Sequence, residues 1–220
     1  MGDGSDDVFV ATRRQLRGVA ESLIAGPQYR ASGTIRLAVG PDGFTGSVLP
    51  VEVHGTELVW PQGSAPLSGP VNRLADAAGL QAGPPAGVYD IVDPLPPDAV
   101  LDIDAPAAEL IYRGLYAGGH ALKATVPEQH PVLWPEHFDV AVTEDEVNYG
   151  VSAGDPYHPR PYAYLGPRTV PAGPFWNAPF GALYALDPGA DVDALASSIT
   201  EFFNQARSQL RIDNDARRDR

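Results

Sequence analysis

Four segments between Leu133 and Ala182 gather the residue types that do chemistry near neutral pH. They are Leu133-Trp134-Pro135-Glu136-His137-Phe138-Asp139, Asn148-Tyr149-Gly150-Val151-Ser152-Ala153-Gly154-Asp155, Pro161-Tyr162-Ala163-Tyr164-Leu165-Gly166-Pro167 and Phe175-Trp176-Asn177-Ala178-Pro179-Phe180-Gly181-Ala182. His137 with Asp139 or Asp155 is a candidate acid–base pair, because imidazole titrates near neutrality and a carboxylate orients it. Gly150-Val151-Ser152-Ala153-Gly154 matches the GxSxG string of serine hydrolases, whose serine needs a strand-to-helix turn. Prolines in Asp155-Pro156-Tyr157-His158-Pro159 forbid that helix. His137 and Asp139 also precede Ser152, the wrong order for an α/β-hydrolase.

A second set suits ligand binding. Tyr162 and Tyr164 flank Ala163 and share one face of a strand, so a pair of rings would suit a planar ligand. Glu136, Asn148, Trp176 and Asn177 supply polar and aromatic partners nearby in the chain. Each residue also has a plain structural role open to it. The polar ones fit a solvated or hydrogen-bonded sheet face, and the aromatics fit a core. Gly150, Gly154, Gly166 and Gly181 suit turns, since no GxGxxG or Walker pattern accompanies them.

A β-hairpin has to position these groups. With a turn at Glu144-Asp145, Val142 faces Val147, Val140 faces Tyr149, Phe138 faces Val151 and His137 faces Ser152. The large apolar residues then share one face. His137, Asp139, Ala141, Asn148, Gly150 and Ser152 share the other. A covered polar face needs partners, so His137 is expected to be partly buried, bonded to Asp139 or Asp155 at a pocket wall.

The rest of the chain alternates helix and hairpin signals. Residues 9–25 predict a helix with Leu16, Val19, Ala20, Leu23 and Ile24 in one stripe, ended by Gly26-Pro27. Strands are expected over 34–39 and 44–49 around Gly40-Pro41-Asp42-Gly43, and over 51–54 and 57–60 around Gly55. A short helix is expected over 70–78, ending at Gly79. Residues 81–97 read as a proline-rich connection whose Val88, Tyr89, Ile91, Val92 and Leu95 want burial. Asp104 caps a helix bearing Ile111, Leu115 and Leu122, with Gly118-Gly119 as a candidate break within it. Strands follow over 138–142, 147–152, 162–165 and 182–186. Asp191 then caps a last helix with Val192, Leu195, Ile199, Phe202, Ala206 and Leu210 in register. Residues 37–44 align without a gap on 140–147, Asp42 on Asp145 and Val48 on Val151, which suggests two pseudo-symmetric β units.

At the four segments the chain resembles an uncharacterised actinobacterial protein family that shares WPEHFD, NYGVSxGD, PYAYxGP and FWNAPFGA motifs. The resemblance extends over most of the chain, including residues 26–34, and it implies no activity.

Composition narrows the classes. With no cysteine among 220 residues, disulfides, zinc–thiolate sites and thiol catalysis are excluded. The five histidines show no HExxH or HxH spacing, so no metal and no cofactor is expected. A net charge of −13 repels phosphate backbones, and nucleic acid is not an expected partner. Arg13, Arg14 and Arg17, and Arg217, Arg218 and Arg220, read as solvated surface. No apolar run approaches membrane-spanning length, and the acidic start lacks the pattern of a secretion signal or a myristoylation site. A cytoplasmic location follows as the expectation.

The sequence thus predicts an α+β domain over 8–212, with antiparallel hairpins packed by N-terminal, central and C-terminal helices. Residues 1–7 read as a disordered lead and 213–220 as a charged tail. Halves over 8–80 and 98–212 would join through the proline-rich connection. The expected function is small-molecule binding in the block of four segments. A cofactor-independent hydrolase or isomerase using His137, Asp139, Asp155 and Ser152 is the enzymatic alternative, and an acidic protein-interaction adaptor a third. The ligand's identity and the oligomeric state are not legible.

Overall fold

In the computed structural model, which describes the backbone of residues 3–218 and the side chains of residues 6–211, Gly26-Pro27 does not end the first helix. The chain runs from α1 (Asp3–Val19) through a π-helical segment (Ala20–Ala25) into α2 (Gly26–Ser32). It stops only at Gly33, whose φ of 76° lets its amide reach back to Tyr29 O. The wider π turn accommodates the proline. Gly26 N donates five residues back, to Glu21 O, and Pro27 has no amide hydrogen to continue the series. The predicted stripe of Leu16, Val19, Ala20, Leu23 and Ile24 is fully buried. The expected disordered lead is helical from Asp3, while Met1 and Gly2 lie outside the described residues.

The proline-rich segment lies along this helix as a strap. Gly83 N donates to Ser22 O at 3.0 Å, the carbonyl five residues before Pro27. A Cβ on Gly26 would overlap the Gly83 carbonyl oxygen, and one on Gly18 would lie 2.7 Å from Leu95 Cβ. Arg14 pairs with Asp93, Arg17 donates to Val92 O, and Arg30 donates to Gln81 O and, at 3.2 Å, to Gly83 O. Positions 14, 18, 22, 26 and 30 follow helical spacing, so one face of the helix holds the strap. Arg14 holds the strap while staying on the exposed surface as expected, Arg17 is half-buried against it, and Arg13, expected on the surface, is buried. Val88 and Val92 remain exposed, the latter at 68%, because polar contacts and not apolar burial fix the segment.

The remaining elements are β1 (Leu37–Gly40), β2 (Gly43–Gly46), β3 (Glu52–His54), β4 (Glu57–Trp60), β5 (Gly63–Pro66), β6 (Ser68–Pro70), α3 (Val71–Ala78), β7 (Val100–Asp102) and α4 (Ala105–Thr125). Then come β8 (Val132–Trp134), β9 (Asp139–Glu144), β10 (Val147–Ser152), β11 (Tyr162–Pro167), β12 (Ala182–Ala185) and α5 (Val192–Arg218). The chain divides into two compact units. Residues 1–113 with 132–139 form the first, and residues 114–131 with 140–220 the second. The strap lies within the first unit, and the division falls inside α4 and at the start of β9. Helices beside antiparallel strands make the protein α+β.

In the first unit the strands run β8-β1-β2-β3-β4-β5, while β6 pairs with β7. Gln28 is fully buried and ties α2 to this sheet. Its amide nitrogen donates to Thr34 O and Arg36 O, and its oxygen accepts the amides of Val48 and Leu49. All four hydrogen-bonding positions of the side chain are used. Phe44 is packed edge-on by Tyr112 at 6.3 Å and Phe138 at 5.5 Å.

In the second unit the order is β12-β11-β10-β9. Asp145 and Glu146 both have positive φ, 50° and 62°, a two-residue turn one position later than the sequence suggests. Glu144 then stands against Val147, and Val142 against Tyr149. A shift of two in the pairing keeps the alternation within the strands, and Val140, Val142, Tyr149 and Val151 are buried as expected. Gly118 does not break α4. It permits close approach, since a Cβ there would lie 2.6 Å from Val151 Cβ. Asp191 Oδ1 caps α5 at the Ala194 amide, 2.8 Å away. The backbone is helical to Arg218, against the expected frayed tail; the side chains of Arg217 and Arg218, and all of Arg220, lie outside the described residues.

Both aligned segments do form hairpins, β1–β2 and β9–β10, with the apolar face on matching positions. Their turns differ by one residue, at Pro41-Asp42 and Asp145-Glu146, and Val48 is exposed where Val151 is buried. Among the described residues no helix is long and apolar enough to cross a membrane.

The strap contact has a direct mutational consequence. Gly26→Ala should lower the unfolding free energy by about 3 kcal/mol, because the strap backbone has to move. Gly33→Ala, with nothing near its Cβ, should cost only about 1 kcal/mol for the positive φ. Urea unfolding of the two variants checks this order, and equal losses would show that the strap does not press on the helix.

Candidate functional site

The four segments do not converge on one constellation. In the second unit, Asp155 follows β10 and its Oδ1 accepts the amides of Tyr157 and His158, each at 2.8 Å. This Asx-type turn aims the other oxygen, Oδ2, at Tyr162 Oη, which donates to it at 2.6 Å. Tyr162 is 4% exposed on β11. Around it stand Tyr164 at 6.1 Å, the His158 ring at 5.4 Å and Phe180 stacked at 6.4 Å, with Tyr157 edge-on to Phe180 at 5.5 Å. Asp155, which the sequence paired with His137, is thus joined instead to Tyr162 and, through its ring, to Tyr164.

Other predicted residues have local structural partners. Ser152 is buried and its Oγ accepts the Gly154 amide at 3.0 Å, inside a turn that no helix follows. Asn148 accepts from Thr143 Oγ1 across the exposed end of the β9–β10 hairpin. Asn177 bonds both the amide and the carbonyl of Leu183, closing the approach to β12 as a neighbouring strand would. Trp176 is edge-on to Phe175, which stacks on Phe202 of α5. Gly150 and Gly166 lie in strands, not turns. A Cβ on Gly150 would sit 2.5 Å from the Tyr164 hydroxyl, so this glycine makes room for the ring. Most of the clustered aromatics are only half-buried, against the expectation of a core; Tyr149 and Tyr162 are the buried ones.

In the first unit, residues 134–138 form a single tight turn. Phe138 N bonds Trp134 O, and Phe138 is held at φ 51°, a costly conformation offset by its burial against Phe44. The His137 side chain is 74% exposed, with the Glu136 carboxylate 3.8 Å away, so the expected half-buried ring bonded to Asp139 or Asp155 is not formed. The physical reason is the left-handed turn: β9 begins at Asp139, and His137 never enters the pleat that was to point it inward. Asp139 is buried.

A separate cluster in this unit was missed by sequence reasoning. Glu21, on the π segment, is 1% exposed. Its Oε1 accepts from Tyr89 Oη of the strap at 3.1 Å, and its Oε2 lies 3.7 Å from Arg17 Nε. Burial raises the Glu21 carboxyl above its ordinary 4.5, Arg17 and the Tyr89 bond pull it back, and the Glu136 charge pushes it up again. Burial and Glu21 together hold the Tyr89 phenol well above its usual range, so it stays a donor. A buried carboxyl perturbed in this way marks a candidate site. The signal available in sequence was Glu21 itself, a charged residue inside the apolar stripe of residues 16–24.

Comparison with known proteins returns no significant match: no family model, no curated protein and no solved structure. The actinobacterial resemblance rests on its motif segments alone.

The raised Glu21 carboxyl sets a pH dependence. Between 4.5 and its folded value the native protein holds a proton that the unfolded chain has released. Its stabilising contribution is therefore complete below 4.5 and is lost as pH rises through the folded pKa. The stability of the native protein relative to Glu21→Gln should fall steadily from pH 4 upward in urea titrations. A difference independent of pH would show that Glu21 titrates like a surface carboxylate.

Proposed function

We propose that this chain binds a planar small molecule against the aromatic cluster of β11 and its flanking loops, with Asp155 and Tyr162 as its polar anchor. The observation that carries this reading is the 2.6 Å bond from Tyr162 to a carboxylate already fixed by two backbone amides. Such an anchor is oriented before any ligand arrives, which lowers the cost of binding. The rings beside it are not sealed in a core. Tyr157 is 53% exposed and Phe180 and Tyr164 are half-buried, leaving aromatic area that water covers poorly. The net charge of −13 favours a neutral or cationic ligand over an anion. A cytoplasmic location fits the cysteine-free composition.

Binding is favoured over turnover by the state of the catalytic candidates. Ser152 Oγ is occupied by a turn amide and the His137 ring stands in water. Neither is poised to activate the other.

A thermal-shift screen of planar heteroaromatic compounds tests the reading. Hits on the native protein should weaken at least tenfold in Tyr162→Phe and in Phe180→Ala, while Trp176→Ala has little effect. A screen without hits, or hits that bind Tyr162→Phe as tightly as the native chain, would contradict it.

A further inference from the structure

The polar groups that anchor the tyrosine cluster have spent their protons inside the protein. Tyr162 gives its hydroxyl proton to Asp155 Oδ2, and the amides of Tyr157 and His158 go to Asp155 Oδ1. The His158 ring, half-buried with its centroid 5.4 Å from that of Tyr162, is committed as well. Its Nδ1 lies 2.8 Å from Arg160 O. A carbonyl oxygen can only accept, so in the neutral imidazole Nδ1 carries the proton and Nε2 bears a lone pair. The two nitrogens diverge across the ring, so Nε2 is turned away from that carbonyl.

The ring is also fixed at its base. His158 N donates to Asp155 Oδ1, and His158 O accepts the Asp155 amide at 2.9 Å. With the Nδ1 bond, three hydrogen bonds hold one residue of a loop that carries three prolines between Asp155 and Pro161. Nε2 is therefore an acceptor whose direction is set before a ligand arrives.

We propose that His158 sets the specificity of the aromatic site, its Nε2 accepting a hydrogen bond from an N–H on the edge of the planar ligand. The inference rests on the reading that a planar molecule stacks beside Tyr162 and Phe180, and it adds the ligand class: an aromatic heterocycle with a ring N–H. Such a donor lies in the plane of its ring, so the ligand can stack by its face and bond by its edge. An acceptor-only ring, such as a pyridine, would set lone pair against lone pair at Nε2. An alkylated nitrogen would leave Nε2 without a donor once the ligand has displaced water. A metal ion is a poor fit to this nitrogen, since among the described residues no three His, Asp or Glu side chains gather.

The probes are 3-methylindole and 1-methylindole, isomers of which only the first keeps its N–H. In full-length protein labelled with ¹⁵N-histidine, above neutral pH, His158 should show a protonated Nδ1 and an unprotonated Nε2. Saturating 3-methylindole should shift the Nε2 resonance, and it should bind about tenfold more tightly than 1-methylindole. His158→Asn, whose amide N–H can keep the bond to Arg160 O while Nε2 is removed, should bind the two isomers alike. His158→Gln, whose amide oxygen reaches the place of Nε2, should restore part of the preference. Phe180→Ala should weaken both isomers together. A His158 ring protonated at Nε2 instead of Nδ1 overturns the proposal. Equal binding of the isomers to the native chain, with both weakened by Phe180→Ala, overturns it while the stacking reading stands. If neither isomer binds, both readings fall.

Discussion

Pro27 has no amide hydrogen, and the carbonyl of Ser22 is left for another donor. Gly83 supplies it, and Gly26 lets the strap backbone come close enough to do so. From this one exchange the arrangement of the first unit follows. The strap is drawn onto the face of the helix that bears Arg14, Gly18, Ser22, Gly26 and Arg30. Tyr89 is thereby placed over Glu21, which becomes a buried acid instead of a surface one. A proline that looked like a helix terminator is the reason a long segment without secondary structure has a defined path.

Much of the fold was legible because it rests on short-range physics. The hairpin over residues 37–46, the Gly55 turn, the Gly79 end of α3, the Asp104 and Asp191 caps and the α5 stripe all depend on residues within a few positions of one another. The errors share a different cause. Continuation of the helix through Gly26-Pro27 depends on Gly83, more than fifty residues away. The intact α4 depends on Val151 lying against Gly118. Local preference for breaking a helix is worth about 1 kcal/mol at glycine, and close packing outweighs it.

The candidate sites divide in the same way. Tyr162 and Tyr164 were legible as a pair because a strand has period two, and Asp155 joined them through a turn only seven residues away. His137 was misplaced because its position depends on where β9 begins, and strand boundaries are poorly marked when a left-handed residue such as Phe138 precedes them. The Glu21 cluster was illegible as a cluster: it joins positions 17, 21 and 89, and no spacing rule connects the last to the first two. A charged residue in the middle of an apolar stripe was its one trace, and it points to burial with a partner. Two polar centres result, one tied to aromatic rings and one to the strap, and each is defined by hydrogen bonds that cost stability if left incomplete.

The most direct measurement is amide hydrogen exchange at Gly83, read residue by residue by NMR. If the Ser22 carbonyl holds the strap, the Gly83 amide exchanges slowly, while the amides of Gly87 and Val88, a few residues along the same segment, exchange at rates near those of an open chain. Replacing Pro27 by Ala gives the helix back its own donor and should speed exchange at Gly83. A Gly83 amide that exchanges as fast as Gly87 in the native protein would contradict the account, because the strap would then be a free linker and the burial of Glu21 beneath it would have no cause.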